Sequence, residues 1–148
     1  MSYIVPILTV IGSFGGAWLA AQLALRRFYR ERIWERKAAA YTAILEAMHD
    51  MGRWYDEHFE AAIEQYEMDK DDMDELARSY NHAKLALSRR LASETWLLPD
   101  ECIQLMDKME KDLRYDGENW QDHLEAGAFA IRSALGALRP IVRKEMNI

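Results

Sequence analysis

A chain of 148 residues, half of them apolar and 30% charged, with only seven Gly and three Pro, has room for one domain and a short extra segment. That composition excludes a disordered or linker-rich protein, and the single cysteine, Cys102, excludes an internal disulfide. The net charge of -6 is unevenly spread: residues 26–37 carry six basic and two acidic side chains, whereas residues 38–148 carry thirteen basic and twenty-three acidic.

The first 25 residues contain no Asp, Glu, Lys or Arg. Tyr3 to Leu25 is long enough, at about 1.5 Å per residue, to cross a hydrocarbon layer of about 30 Å as a helix. Pro6 falls in the first turn, where its missing N–H would lack an intrahelical partner in any case. A cleavable signal peptide carries its positive charge before the apolar core; here the arginines follow it. The segment is therefore read as a transmembrane helix over residues 1–25. The positive-inside rule places the C-terminal side in the cytoplasm and the N-terminus outside, in the inner membrane of a cell. The alternative is a buried helix of a soluble bundle.

Within the span, Gly12, Gly16 and Ala20 fall in one i, i+4 row, and Ser13, Ala17 and Ala21 in the adjacent one. Such strips let helix backbones approach in lipid, and they predict self-association. Residues 26–37 then form a basic collar: Arg26, Arg27, Arg30, Arg32, Arg36 and Lys37 are candidates for contact with anionic headgroups, each worth about 1 kcal/mol near such a surface. Tyr3 at one end and Phe28, Tyr29 and Trp34 at the other suit the two interfaces.

From Trp34 the apolar residues Ala38, Tyr41, Leu45, Met48, Gly52, Tyr55, Phe59, Ala62 and Tyr66 alternate four and three apart, which predicts one helix running out of the membrane to about Tyr66. The polar run Met68 to Asp72 breaks the pattern. Met73, Leu76, Tyr80, Ala83, Leu87 and Leu91 resume it as a second helix. Pro99 and Asp100 favour the start of a third, which carries Ile103, Met106, Met109 and Leu113. After an Asp116-Gly117 turn, Asn119 and Asp122 cap a fourth helix bearing Trp120, Leu124, Ile131, Leu135, Leu138 and Val142. Pro140 is expected to kink or end that helix, because its ring opposes the carbonyl of Gly136. No strand-like alternation stands out. The expected fold is all-α: a transmembrane helix continuing into a cytosolic up-and-down bundle of about four helices over residues 38–148.

Candidate chemistry is sparse. Glu46 and His49 make one E-x-x-H, whereas di-iron bundles need two such pairs and further inward carboxylates, so neither metal nor cofactor is expected. Arg53 and His58 have the R-x4-H spacing of HEPN ribonucleases, in which Arg holds charge and His acts as acid or base on a phosphate. A spacing of this kind arises by chance about once in a chain with four His and many Arg, and a solvated helix face is the competing reading. No phosphate loop, nucleophile elbow or Cys/His metal spacing is present. Glu31 and Glu35 interrupt the collar and the body is acidic, so direct nucleic-acid binding is not expected.

The layout of one span, the collar RRxxxERxWERKxxAY (Arg26 to Tyr41) and a small helical body resembles small single-pass bacterial membrane proteins, some of them antiphage effectors. One such group, accessory to RNA-targeting CRISPR nucleases, joins a span to a degenerate HEPN-like bundle and assembles into pores. The resemblance implies a non-enzymatic homo-oligomer that permeabilises and depolarises the membrane, with a soluble protein or ribonucleoprotein as a partner and with Arg53 and His58 as the residues matching the HEPN pattern. A membrane-tethered adaptor that presents its bundle to a soluble partner is the second reading, and a HEPN-type ribonuclease the third.

Overall fold

A computed structural model describes the backbone of residues 4–115 and 117–147 and the side chains from Trp18 onward, with Asp116 excepted. Four helices account for it: α1 (Ile4–Glu64), α2 (Lys70–Glu94), α3 (Asp100–Leu113) and α4 (Trp120–Met146), with no strand among the described residues. The chain divides into two compact units, residues 1–36 and residues 37–148.

The second unit is a helical bundle. Its core gathers Tyr41, Ile44, Met48 and Met51 of α1, Leu87 of α2, Cys102 and Met106 of α3, and Leu124, Ile131 and Leu138 of α4. The predicted α1 seam is only half of the buried surface. Tyr41, Met48 and Tyr55 are buried as expected, but so is a second row, Ala40, Ile44, Ala47 and Met51, while Trp34 and Tyr66 at the ends of the seam are exposed. Two adjacent buried rows give a helix a wide apolar face, which suits packing against several neighbours rather than one.

Helix ends follow from local chemistry. Gln65 takes a left-handed conformation (φ 56°) and the Tyr66 N–H donates to the Ala61 carbonyl at 3.3 Å, the closing bond of a Schellman motif. The polar run expected to separate the first two helices instead belongs partly to α2: Asp69 is its N-cap, accepting from the Asp71 N–H, and Asp71 and Asp72 lie in its first turn. Acidic side chains are favoured at that end of the helix dipole. Pro99 precedes α3, and the Asn119 side chain caps α4 by accepting from the Asp122 N–H at 2.9 Å, both as expected. Asp116 lies outside the described residues; Gly117 beside it has φ +64°, a value that favours glycine.

Pro140 does not end α4, which continues to Met146. Both Pro140 and Gly136 are exposed, so the carbonyl that loses its helical donor faces water, while Leu138 and Met146 anchor the helix on either side.

One approach between α1 and α4 admits only glycine. A Cβ at Gly127 would lie 2.1 Å from Cε1 and 2.5 Å from Cδ1 of Tyr55. Tyr55 thus lies flat over a helix backbone, its hydroxyl 3.4 Å from that of Tyr80 on α2.

Candidate functional site

The first unit, residues 1–36, holds most of the candidates. Gly12, Ser13, Gly16 and Ala17 of the two small-residue rows lie outside the described side chains; Ala20 and Ala21 are exposed. From Trp18 to Arg36 every residue is exposed, including Trp18, Leu19, Leu23, Leu25, Phe28, Tyr29, Ile33 and Trp34. A large apolar side chain gains about 1.5–3 kcal/mol on full burial, so this stretch carries apolar surface that the chain itself does not cover.

Arg26, Arg27, Arg30, Arg32 and Arg36 are all exposed among those aromatics. Arg27 Nε donates to Glu31 at 2.9 Å, one turn on, and the Arg32 guanidinium lies 5.3 Å from the centroid of the Phe28 ring. Arg-aromatic interleaving presents charge and apolar surface together, as an interface between water and lipid requires.

Lys37 departs from its expected place in the collar. It belongs to the bundle unit, and its Nζ donates to Glu145 of α4 at 2.7 Å, with side chains 25% and 22% exposed. The sequence offered no signal for this, because the two residues are 108 positions apart. Of the collar over residues 26–37, the five arginines thus lie in the first unit and the lysine in the second.

Arg53 and His58 sit on consecutive turns of α1. Residues five apart on an α-helix are separated by about 140° around its axis. Arg53 leans to Glu57 at 3.7 Å and borders a hollow with Asp69 and Asp72, whereas His58 stacks on Trp54 with centroids 4.3 Å apart and borders an adjoining hollow with Trp120 and Met73; Tyr66, Glu67 and Met68 line both. His58 Nδ1 lies 2.7 Å from the Trp54 carbonyl, which accepts, so this nitrogen carries the proton and Nε2 is the free one.

An aromatic group that sequence reasoning missed surrounds His58. Trp54, Tyr55, Tyr80, Trp120 and His123 bring three helices together edge to face, tilted or stacked, with Trp54 6.1 Å from Trp120 and His123 stacked on Trp120 at 5.6 Å. Spacing along the chain links only Trp54 with His58 and Trp120 with His123; the rest needs the tertiary fold.

Three buried groups are perturbed, among them the Tyr55 hydroxyl, raised first by burial and then by its bond with Tyr80. Burial, then the nearby Cys102 and Glu145, raise the Tyr41 hydroxyl well above the ordinary phenol range, and that hydroxyl has no hydrogen-bond partner among the described residues. Burial first and Glu145 second push the Cys102 thiol up to about 11, so it is a protonated core residue rather than a nucleophile. Among the described residues no cluster of three His, Cys, Asp or Glu side chains could hold a metal ion, and none of these helices is long and apolar enough to cross a membrane. Most of the expected span, residues 1–17, lies outside the described side chains.

No protein-family model, curated protein or solved structure matches this chain.

Proposed function

We propose that this is a self-associating, single-span membrane protein, with its bundle in the cytoplasm, acting as a non-enzymatic effector at the bilayer. The observation that carries the reading is the fully exposed run from Trp18 to Arg36, apolar first and then Arg-aromatic, which follows a start free of charged residues. Lipid would cover the apolar part and headgroup phosphates would satisfy the arginines. The small rows Gly12, Gly16, Ala20 and Ser13, Ala17, Ala21 supply a surface for close helix approach.

Two versions follow. In the first, the oligomer opens a pore and depolarises the inner membrane in antiphage defence, as the family resemblance implies. The second is a tethered adaptor whose acidic bundle meets a soluble partner. Thr9, Ser13 and Gln22 are the few polar side chains in residues 4–25 to line a water-filled lumen, so the pore stands first on the resemblance alone. A ribonuclease is the third reading, resting on the R-x4-H spacing of Arg53 and His58 alone.

Carbonate extraction and reporters fused at each end test the anchoring: a soluble chain, or an exported C-terminal reporter, overturns it. Mass photometry of the solubilised full chain together with dye release from liposomes separates the two versions. An oligomer that releases dye supports the pore, an oligomer that does not supports the adaptor, and a monomer refutes self-association. Substitution of Gly12 and Gly16 by Leu should disperse the oligomer. RNA cleavage lost in both Arg53→Ala and His58→Ala would restore the ribonuclease reading.

A further inference from the structure

Between α2 and α3 the bundle opens into a cavity of about 300 Å³ that reaches the core. Its floor is made by Met51, Leu87, Met106 and Met109, all of them buried. Protein interiors are close-packed and tolerate few voids larger than a water molecule. An apolar cavity of about 150 Å³ is already enough to stay dry and take up benzene. Three methionines at the floor add adaptability, because their unbranched, polarizable side chains reshape around a guest.

The mouth is polar and electrically balanced. Arg114 donates to Glu110 at 2.8 Å, and that carboxyl is held below the ordinary carboxylate range first by this bond, with Lys84 contributing. Lys84 and Asp107 complete the rim, so two cations face two anions. A guest with net charge would meet like charge as readily as opposite charge. A guest with one uncharged polar end finds a donor in Lys84, an acceptor in Asp107 and the hydroxyl of Ser88.

We infer that this cavity is a binding site for a small, neutral, largely apolar molecule, seated with its body on the methionine floor and its one polar end at the charged rim. The site lies wholly within the bundle unit and does not depend on the membrane reading.

Full-length protein carrying [¹³C-methyl]methionine, held in amphipol, tests this with three probes that share a body: 3-phenylpropan-1-ol, 3-phenylpropanoate and 3-phenylpropylammonium. The alcohol should shift the Met51, Met106 and Met109 methyl signals saturably, at concentrations at least tenfold below either charged analogue, and leave Met68 and Met73 in place. Ser88→Trp, on the exposed lip, should weaken the alcohol at least tenfold while the far-ultraviolet circular dichroism of the variant stays that of the parent. Should that variant fail to fold, Leu113→Trp on the half-buried wall serves instead. Absent or unsaturable shifts at the three floor residues, equal response to all three probes, preference for a charged probe, or undiminished binding in the lip variant would each overturn the assignment.

Discussion

Gly127→Ala tests the closest approach in the bundle. Alanine normally stabilises a helix interior by about 1 kcal/mol over glycine, so on propensity alone the change should help. Its Cβ would arrive 2.1 Å from Tyr55 Cε1 and 2.6 Å from Cζ, however, far inside van der Waals contact. Tyr55 is buried and its hydroxyl faces that of Tyr80, so the ring cannot withdraw without disturbing α2. Overpacking of this kind costs about 1–3 kcal/mol and occasionally more. With the contact at the severe end, the net loss is about 2 kcal/mol, or a fall in melting temperature of roughly 8 °C for a domain of this size. Gly136→Ala is the matched control: it lies on the same helix, is exposed, and its Cβ would meet nothing within 4 Å. It should raise the melting temperature by a few degrees. Thermal melts of both variants followed by circular dichroism decide the matter. Equal effects of the two substitutions, or stabilisation by Gly127→Ala, would refute the close packing of Tyr55 on α4.

Tyr41→Phe should be neutral or stabilise by up to about 1 kcal/mol in urea titrations, because it deletes a buried hydroxyl with no partner; a loss of 1 kcal/mol or more would mean the hydroxyl is satisfied. The Cys102 thiol, pushed up to about 11, keeps its proton in the folded chain where the unfolded thiol, with a pKa of about 8.5, ionises; its contribution is whole below pH 8.5 and falls by about 3 kcal/mol as pH rises to 11. Cys102→Ala should therefore lose less stability than the parent between pH 8 and 10.5, and identical losses would exclude the thiol as a cause. Gln65→Gly should stabilise by about 1 kcal/mol, since it relieves a left-handed non-glycine residue at the end of α1; a lower denaturation midpoint would contradict that helix end.

The four helices were legible because Leu, Met and aromatic residues mark their buried faces at helical spacing. The second buried row of α1 was not, since Ala40 and Ala47 give a weak hydrophobic signal and become core only when neighbouring helices come close. Gln65 hides a helix end that glycine would have announced. Pro140 misleads in the opposite direction: its cost depends on whether the freed carbonyl meets water, and exposure is a tertiary property. Candidate sites divide the same way. The collar is local and could be read directly, whereas the aromatic group around His58 and the methionine-floored cavity each join residues of three helices that no spacing connects.

Transfer of Lys37 to the bundle changes what the collar can do. Residues 26–36 keep five arginines against Glu31 and Glu35, a net +3 carried by guanidinium alone. The positive-inside rule counts Lys and Arg alike, so orientation does not require arginine. Bidentate hydrogen bonding to phosphate does, and so does stacking of the kind Arg32 makes over Phe28. A collar in which all five arginines become lysine should leave a C-terminal reporter cytoplasmic, yet retain fewer phosphatidylglycerol molecules through purification, read by native mass spectrometry. If lipid retention is unchanged, the collar acts by charge alone and the choice of arginine has no bearing on headgroup contact. If it falls while topology holds, the collar of the proposed span grips phosphate as well as orienting it.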